Sequence, residues 1–244
     1  MTRPSVHNAF DEAMIGELDA AFATLGEADD VRVIILAGEG RHFSAGADLR
    51  WMQRAREAPE EQNLEDARRF AAMLSRIDTC LKPTLARIQG AAIGGGVGLA
   101  CVCDIAVAAD DASFAVSEAK VGILPSVIGP YLVNAIGRRQ ARRLALTASR
   151  LSAAEACAIG LVHRCVPASE LDTAVESVIS ELLAAGPNAQ REIKQLFGVL
   201  SPGPVTAEVR ELTAKTIARV RATAEAKEGF DAFLGKRPPD WNNR

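Results

Sequence analysis

The chain has 244 residues, 48% of them hydrophobic, enough to bury one large core or a main domain with a small appendage. A net charge of −3 leaves no basic surplus to neutralise phosphates, which argues against a nucleic-acid binder. The five cysteines (Cys80, Cys101, Cys103, Cys157, Cys165) include no C-x-x-C pair and are odd in number, so reduced thiols in a cytoplasmic protein are expected.

Taken from the N-terminus, residues 1–7 lead into no apolar run of the kind a signal peptide needs. Asn8 can cap a helix with Asp11 at its third position, and Met14, Leu18, Phe22 and Leu25 then share one face. Residues 31–37 are nearly all apolar, as in a strand covered on both faces, and Gly38-Glu-Gly-Arg ends them. Phe43-Ser-Ala-Gly-Ala-Asp-Leu49 is a turn of small residues. Residues 50–66 mix Arg with Glu and Asp around Pro59 and read as a solvated helix and loop near a site entrance. A helix over 68–80 stops before Lys82-Pro83, because proline disfavours helix in the residue ahead of it.

The centre of the chain is a buried strand over 85–92, a turn containing Gly94, Gly95, Gly96 and Gly98, and then a helix. Adjacent glycines let backbone N–H groups approach a ligand, since no Cβ intervenes. A helix start adds unpaired N–H groups and the positive end of its dipole. Such a turn suits a phosphate or the oxyanion of a reacting carbonyl, and it equally suits tight helix–sheet packing. Residues 88–103 are uncharged but glycine-rich and too short for a membrane span, so no membrane association is expected.

Beyond it, 105–109 and 113–116 read as short strands. Ser152 and Glu155 form a capping box, and Gly160 closes that helix. Another helix runs from Ser169 to Gly186-Pro187. Helical patterns over 188–200 and 205–234 follow, separated by Ser201-Pro-Gly-Pro204. The division is a core over 1–185 and a C-terminal helical region over 186–244, serving as a lid or an oligomer interface.

Several motifs are missing. Leu99 stands where G-x-G-x-x-G spacing needs glycine, there is no G-x-x-x-x-G-K-[ST] and no G-x-S-x-G, and His7, His42 and His163 form no H-E-x-x-H. No metal site is expected. One acid stands in an apolar setting: Glu118, with Val116, Val121 and Ile123 around it, whose burial would raise its pKa toward neutrality and suit proton transfer. The plain alternative is a pair with Lys120 or a capped turn.

Together, Phe43-Ser-Ala-Gly-Ala-Asp-Leu49, Gly90-Ala-Ala-Ile-Gly-Gly-Gly96, Cys103-Asp-Ile-Ala-Val-Ala-Ala109 and Ser117-Glu-Ala-Lys-Val-Gly-Ile-Leu-Pro125 resemble the enoyl-CoA hydratase/isomerase (crotonase) superfamily. So do Leu151-Ser-Ala-Ala-Glu-Ala156 and the segment from Glu228 to Pro238. The match spans nearly the whole chain in order. The stretches around Glu118 and Leu124 to Pro130 are most similar to methylglutaconyl- and carboxygeranoyl-CoA hydratases.

The resemblance implies an α/β fold, a spiral of ββα units with a C-terminal helical trimerisation region, in a homotrimer or dimer of trimers. It implies an acyl-CoA thioester substrate and neither a metal nor a redox cofactor. By position, the backbone N–H groups of Ala47 and Gly95 would form an oxyanion hole for the enolate. The carbonyls of Ala45 and Leu49 would receive the adenine amino group, Arg41 would lie near the CoA phosphates, and Phe233 and Lys236 would reach a neighbouring subunit's CoA.

Two departures stand out. Hydratases of the family carry one glutamate two residues after the glycine triplet and another 20 residues later; here these catalytic positions hold Gly98 and Glu118. A single glutamate suits a Δ3,Δ2-enoyl-CoA isomerase, but the similar hydratase branch tolerates a small residue at the first position, so hydration is placed ahead. A thioester hydrolase and a non-catalytic CoA-thioester binder are the other readings. The second departure is at the start: relatives usually carry a leading strand before the segment that here begins at Arg3-Pro4, so either the sequence starts short of that strand or the first sheet has lost an edge strand.

Overall fold

The computed structural model describes residues 1–243. Helix α1 (Glu12–Glu27) starts at Asp11, whose carboxylate accepts the Met14 N–H, and not at Asn8. Asn8 is fully buried with φ 52°, and its side-chain amide donates to the Glu39 and His42 carbonyls. Asparagine tolerates that left-handed backbone, so a residue expected to cap a helix instead ties two loops together. Strand β1 (Ile34–Ala37) is shorter than the apolar run that contains it. Asp48 caps α2 (Leu49–Glu57), and α3 (Glu60–Asp78) follows directly after Pro59. The charged stretch over 50–66 is thus helical almost throughout, and α3 runs on through the helix expected over 68–80, burying Phe70, Met73, Leu74 and Ile77 as it packs on α1.

The expected single strand over 85–92 is two: β2 (Thr84–Ile88) and β3 (Ala91–Ile93), in different sheets. Gly90, at φ +59°, makes the break; a Cβ there would overlap the Arg41 carbonyl. Helix α4 (Gly95–Val102), β4 (Ile105–Ala109) and β5 (Ser113–Ala115) come next. The sequence reading assigns no element to α5 (Gly129–Thr147), where Pro130 at the start and Gly137 at φ 73° interrupt the helical pattern; Leu132, Ile136, Ala141 and Leu144 are its buried residues. Strand β6 (Arg150–Ser152), α6 (Ala153–Ala158) with its Ser152–Glu155 capping box, and β7 (Arg164–Val166) complete the spiral.

The larger sheet is all parallel in the order β1-β2-β4-β7; the smaller, β3-β5-β6, pairs β3 with β5 in parallel and β6 antiparallel. Helix α4 packs against α3, α5, β2 and β3. Most buried side chains form one cluster around α4, and α7 (Leu171–Ala184) covers the other face of β4 with Leu171, Val175 and Val178.

The C-terminal helices are α8 (Pro187–Val199), α9 (Ala207–Arg221) and α10 (Ala224–Leu234); Thr223 caps α10 and splits the helical run expected over 205–234. Lys194 pairs with Asp104 at 2.6 Å, and the Glu225 carboxylate accepts the Asn188 and Ala189 N–H groups at the start of α8. Asp104 also accepts the Thr84 N–H and hydroxyl, so its carboxylate is occupied by structure. Among the described residues no helix is long and apolar enough to cross a membrane.

Candidate active site

The site begins with the small-residue turn at 43–48. Ser44 pairs with β3 on one side, donating its N–H to Ala91 and accepting from Ile93. On the other side the N-terminal segment supports it: Ala45 N–H donates to the His7 carbonyl and the Ser44 hydroxyl to the Asn8 carbonyl. Phe10 N–H donates to Gly46 at 2.8 Å, and Asp48 N–H donates to Phe10 at 2.9 Å. These bonds bracket Ala47 and leave its own N–H without an acceptor among the described residues.

Gly46 sits at φ +84°, where a Cβ would lie 2.7 Å from the Ile93 carbonyl oxygen and 3.7 Å from the Gly95 nitrogen. Only glycine lets the two turns approach this closely. Gly94, at φ +53°, donates its N–H to Ala115 and turns the chain into α4. The Gly95 N–H, first in that helix, also has no acceptor among the described residues. Two free donors, one on a helix N-terminus, are therefore brought side by side.

Glu118 opens a short 3-10 turn, Glu118–Val121, directly after β5. Its Oε1 lies 3.1 Å from where a Cβ of Gly94 would be, so the carboxylate rests on the glycine turn. Its Oε2 is buried without a hydrogen-bond partner. Burial pushes the Glu118 carboxyl above the ordinary glutamate range, against a smaller opposing effect of its own backbone N–H. Burial is the cause expected, but not by the neighbours expected: Val116 is buried, whereas Val121 and Ile123 are more than half exposed. Glu118 forms no ion pair with Lys120.

Gly98 is buried in α4, and the space a side chain would take is filled: a Cβ there would overlap the Ile128 methyl group and lie 3.0 Å from Ile128 Cβ. No second acid reaches Glu118 from this position. Phe10 lies in no family-like stretch, and Ile128, inside Leu124 to Pro130, gives no sign there of its packing on Gly98; both come to the site through the packing of the N-terminal segment and of the start of α5.

Ala45, Ala47 and Leu49 line a cleft of about 860 Å³ with Arg3, His7, Arg50 and Arg54. Ala47 is the residue this cleft shares with the Gly95–Glu118 arrangement. Arg41 is exposed and lies outside the lining, next to the imidazoles of His7 and His42, which meet edge to face with centroids 4.8 Å apart and planes inclined by 82°. His42 Nδ1 accepts the Ala91 N–H; burial, then the charges of His7, Arg41 and Arg150, hold its pKa below the usual value. Arg41 and Arg150 thus place two positive charges near His42. Phe233 and Lys236 stand exposed at the end of α10, away from the cleft lining. Cys103 is buried, and burial drives its thiol pKa upward, so it offers no nucleophile at neutral pH. No three His, Cys, Asp or Glu side chains among the described residues are grouped to hold a metal ion.

Comparison with known proteins adds the following. A family profile described as Enoyl-CoA hydratase/isomerase matches residues 1–244. A protein of Rhodobacter capsulatus named "Probable enoyl-CoA hydratase" is 34% identical over 249 residues, covering 100% of this chain and 93% of the relative. The crystal structure of an enoyl-CoA hydratase from Shewanella pealeana superposes with a TM-score of 0.94 at 40% identity, over 98% of this chain and 89% of that one. An enoyl-CoA hydratase/isomerase from Marinobacter aquaeolei superposes with a TM-score of 0.92 at 33% identity, over 99% and 94% of the two chains.

Proposed function

The chain belongs to the enoyl-CoA hydratase/isomerase family, and from that premise we propose that it adds water across the α,β double bond of an enoyl-CoA thioester, or removes it in reverse. One observation carries the reading: the unpartnered Glu118 carboxylate rests on the glycine turn whose Gly95 N–H, like that of Ala47, has no acceptor among the described residues. In the proposed reaction water oxygen bonds to the β-carbon as Glu118 takes one of its protons. The π electrons move toward the thioester oxygen, where the Ala47 and Gly95 N–H groups stabilise the enolate. Glu118 then returns its proton to the α-carbon, and a 3-hydroxyacyl-CoA leaves. Donors of this kind are worth about 3 kcal/mol each at the transition state.

The thioester carbonyl marks the inner end of the substrate, and the cleft shared through Ala47 leads outward from it. There the carbonyls of Ala45 and Leu49 suit the adenine amino group. The guanidinium groups of Arg41 and Arg150, both near His42, suit the CoA phosphates. Coenzyme A arrives as part of the substrate, and the reaction as written uses no metal and no redox group.

A second reading is an isomerase in which Glu118 moves one proton between the α- and γ-carbons. The filled space beside Gly98, which leaves one carboxylate, favours it. The names of the relatives favour hydration, and we keep that reading first. A panel of straight and branched 2- and 3-enoyl-CoAs separates the two. Formation of 3-hydroxyacyl-CoA from the 2-enoyl substrates is expected. Double-bond migration alone would replace hydration with isomerisation, release of free CoA would indicate a hydrolase, and no turnover would leave a binder.

The proposal extends to assembly as a homotrimer or a dimer of trimers through the C-terminal helices, with Phe233 and Lys236 placed to meet a neighbouring subunit's CoA. Phe197, Phe230, Phe233 and Leu234 are all more than half exposed on those helices, an apolar surface of the kind subunits cover. Sedimentation at micromolar concentration is expected to give three or six copies; monomer alone would contradict this.

A further inference from the structure

Phe10 touches both turns of the site at once, by two different means. Its backbone brackets Ala47, accepting from Asp48 and donating to Gly46. Its ring, 2% exposed, presses on Gly95: a Cβ on that glycine would overlap Phe10 Cζ and lie 2.8 Å from Cε1. We propose that Phe10 is a positioning residue that sets the spacing of the two oxyanion donors, with its main chain fixing the turn that carries Ala47 and its ring seating Gly95.

The ring is itself held. Phe70, from α3, stacks on it with centroids 4.9 Å apart and planes inclined by 29°, and Phe70 Cζ would be 3.0 Å from the same Gly95 Cβ. Trp51, from α2, leans on its other neighbourhood at 6.1 Å and 58°. The backbone next to Phe10 is tied down too, since Arg3 donates to the Ala9 carbonyl and pairs with both Asp11 and Asp48. Phe10 is therefore a rigid spacer between residue 47 and residue 95. An oxyanion hole acts only when both donors meet the developing charge at hydrogen-bond distance, and a displacement of about 1 Å costs on the order of 10²-fold in rate.

This role rests on the assignment of Ala47 and Gly95 as the oxyanion donors. Phe10→Ala would open a large cavity in the core, so the test uses Phe10→Leu, which keeps an apolar side chain but withdraws the ring edge from Gly95. The control is Phe22→Leu, a buried phenylalanine of α1 in the same core. Measured quantities are kcat and KM on an enoyl-CoA that the wild type turns over, the Kd of free CoA, which lacks a thioester carbonyl, and Tm. Phe10→Leu is expected to lower kcat by about 10- to 100-fold, with KM and the Kd of CoA within about threefold of wild type. Phe22→Leu is expected to lower Tm comparably and leave kcat unchanged. Wild-type kcat in Phe10→Leu, or an equal loss in Phe22→Leu, overturns the proposal while the wild type remains an active hydratase. A wild type inactive on every enoyl-CoA overturns the proposed reaction and the positioning role together.

Discussion

Replacing Glu118 with Gln is expected to lower turnover on an enoyl-CoA thioester by about 10²-fold or more while affinity for the thioester stays near wild type. The substitution keeps shape and volume and removes the Glu118 carboxylate from beside the glycine turn, where Gly98 brings none among the described residues. Asp48 and Asp104 cannot replace it: the first caps α2 and pairs with Arg3, the second is held by Thr84 and Lys194. Because burial raises the Glu118 pKa, the acid limb of the pH–rate profile is expected above the ordinary glutamate value. The same shift has a consequence for stability. A carboxyl whose folded pKa is raised contributes most below the unfolded pKa, and that contribution is lost as pH rises through the folded pKa. Glu118→Gln is therefore expected to melt higher than wild type near neutral pH, with the difference closing in acid. Near-wild-type turnover in Glu118→Gln would contradict the single-acid mechanism.

Gly98→Glu is expected to lose stability and gain no activity. The new side chain meets Ile128 in a packed core. Overpacking costs about 1–3 kcal/mol, and a buried carboxylate without a partner adds to that, for a fall in Tm of roughly 10 °C. Combining it with Ile128→Ala clears the space. The double variant is then expected to raise hydration relative to double-bond migration, because a second acid would stand at the family's first position. A single Gly98→Glu variant with wild-type Tm would show that the space is open. Thermal melts and product ratios read both outcomes.

The sequence carries the site unevenly, for physical reasons. The glycine turn and its helix were legible because several adjacent residues without side chains have few other uses, and Ser152 with Glu155 was legible because capping is local. Glu118 stood out as an acid among apolar residues, though Val121 and Ile123 turn out to be exposed and its burial has another origin. Boundaries were lost where a residue answers to distant partners. Asn8 looks like a cap until the loops at 39 and 42 claim its amide. The bend at Gly90 is dictated by the Arg41 backbone. Helix α5 is hidden in the sequence because Pro130 and Gly137 break the periodicity that its buried residues otherwise keep. Phe10 carries no local signal, and the family-like stretch that holds Ile128 says nothing of its role; each matters through the glycine it presses on. The assignments of Ala47, Gly95, Arg41, Phe233 and Lys236 to roles came from family resemblance, and geometry alone distinguishes the first two as donors without acceptors.

The most direct measurement is a crystal structure of the protein with a non-reacting acyl-CoA thioester bound. The account predicts the thioester oxygen about 3 Å from both the Ala47 and Gly95 nitrogens, with the α-carbon facing Glu118 and the CoA moiety leaving past Ala45 and Leu49. A carbonyl bound elsewhere, with either N–H directed away from it, would contradict it.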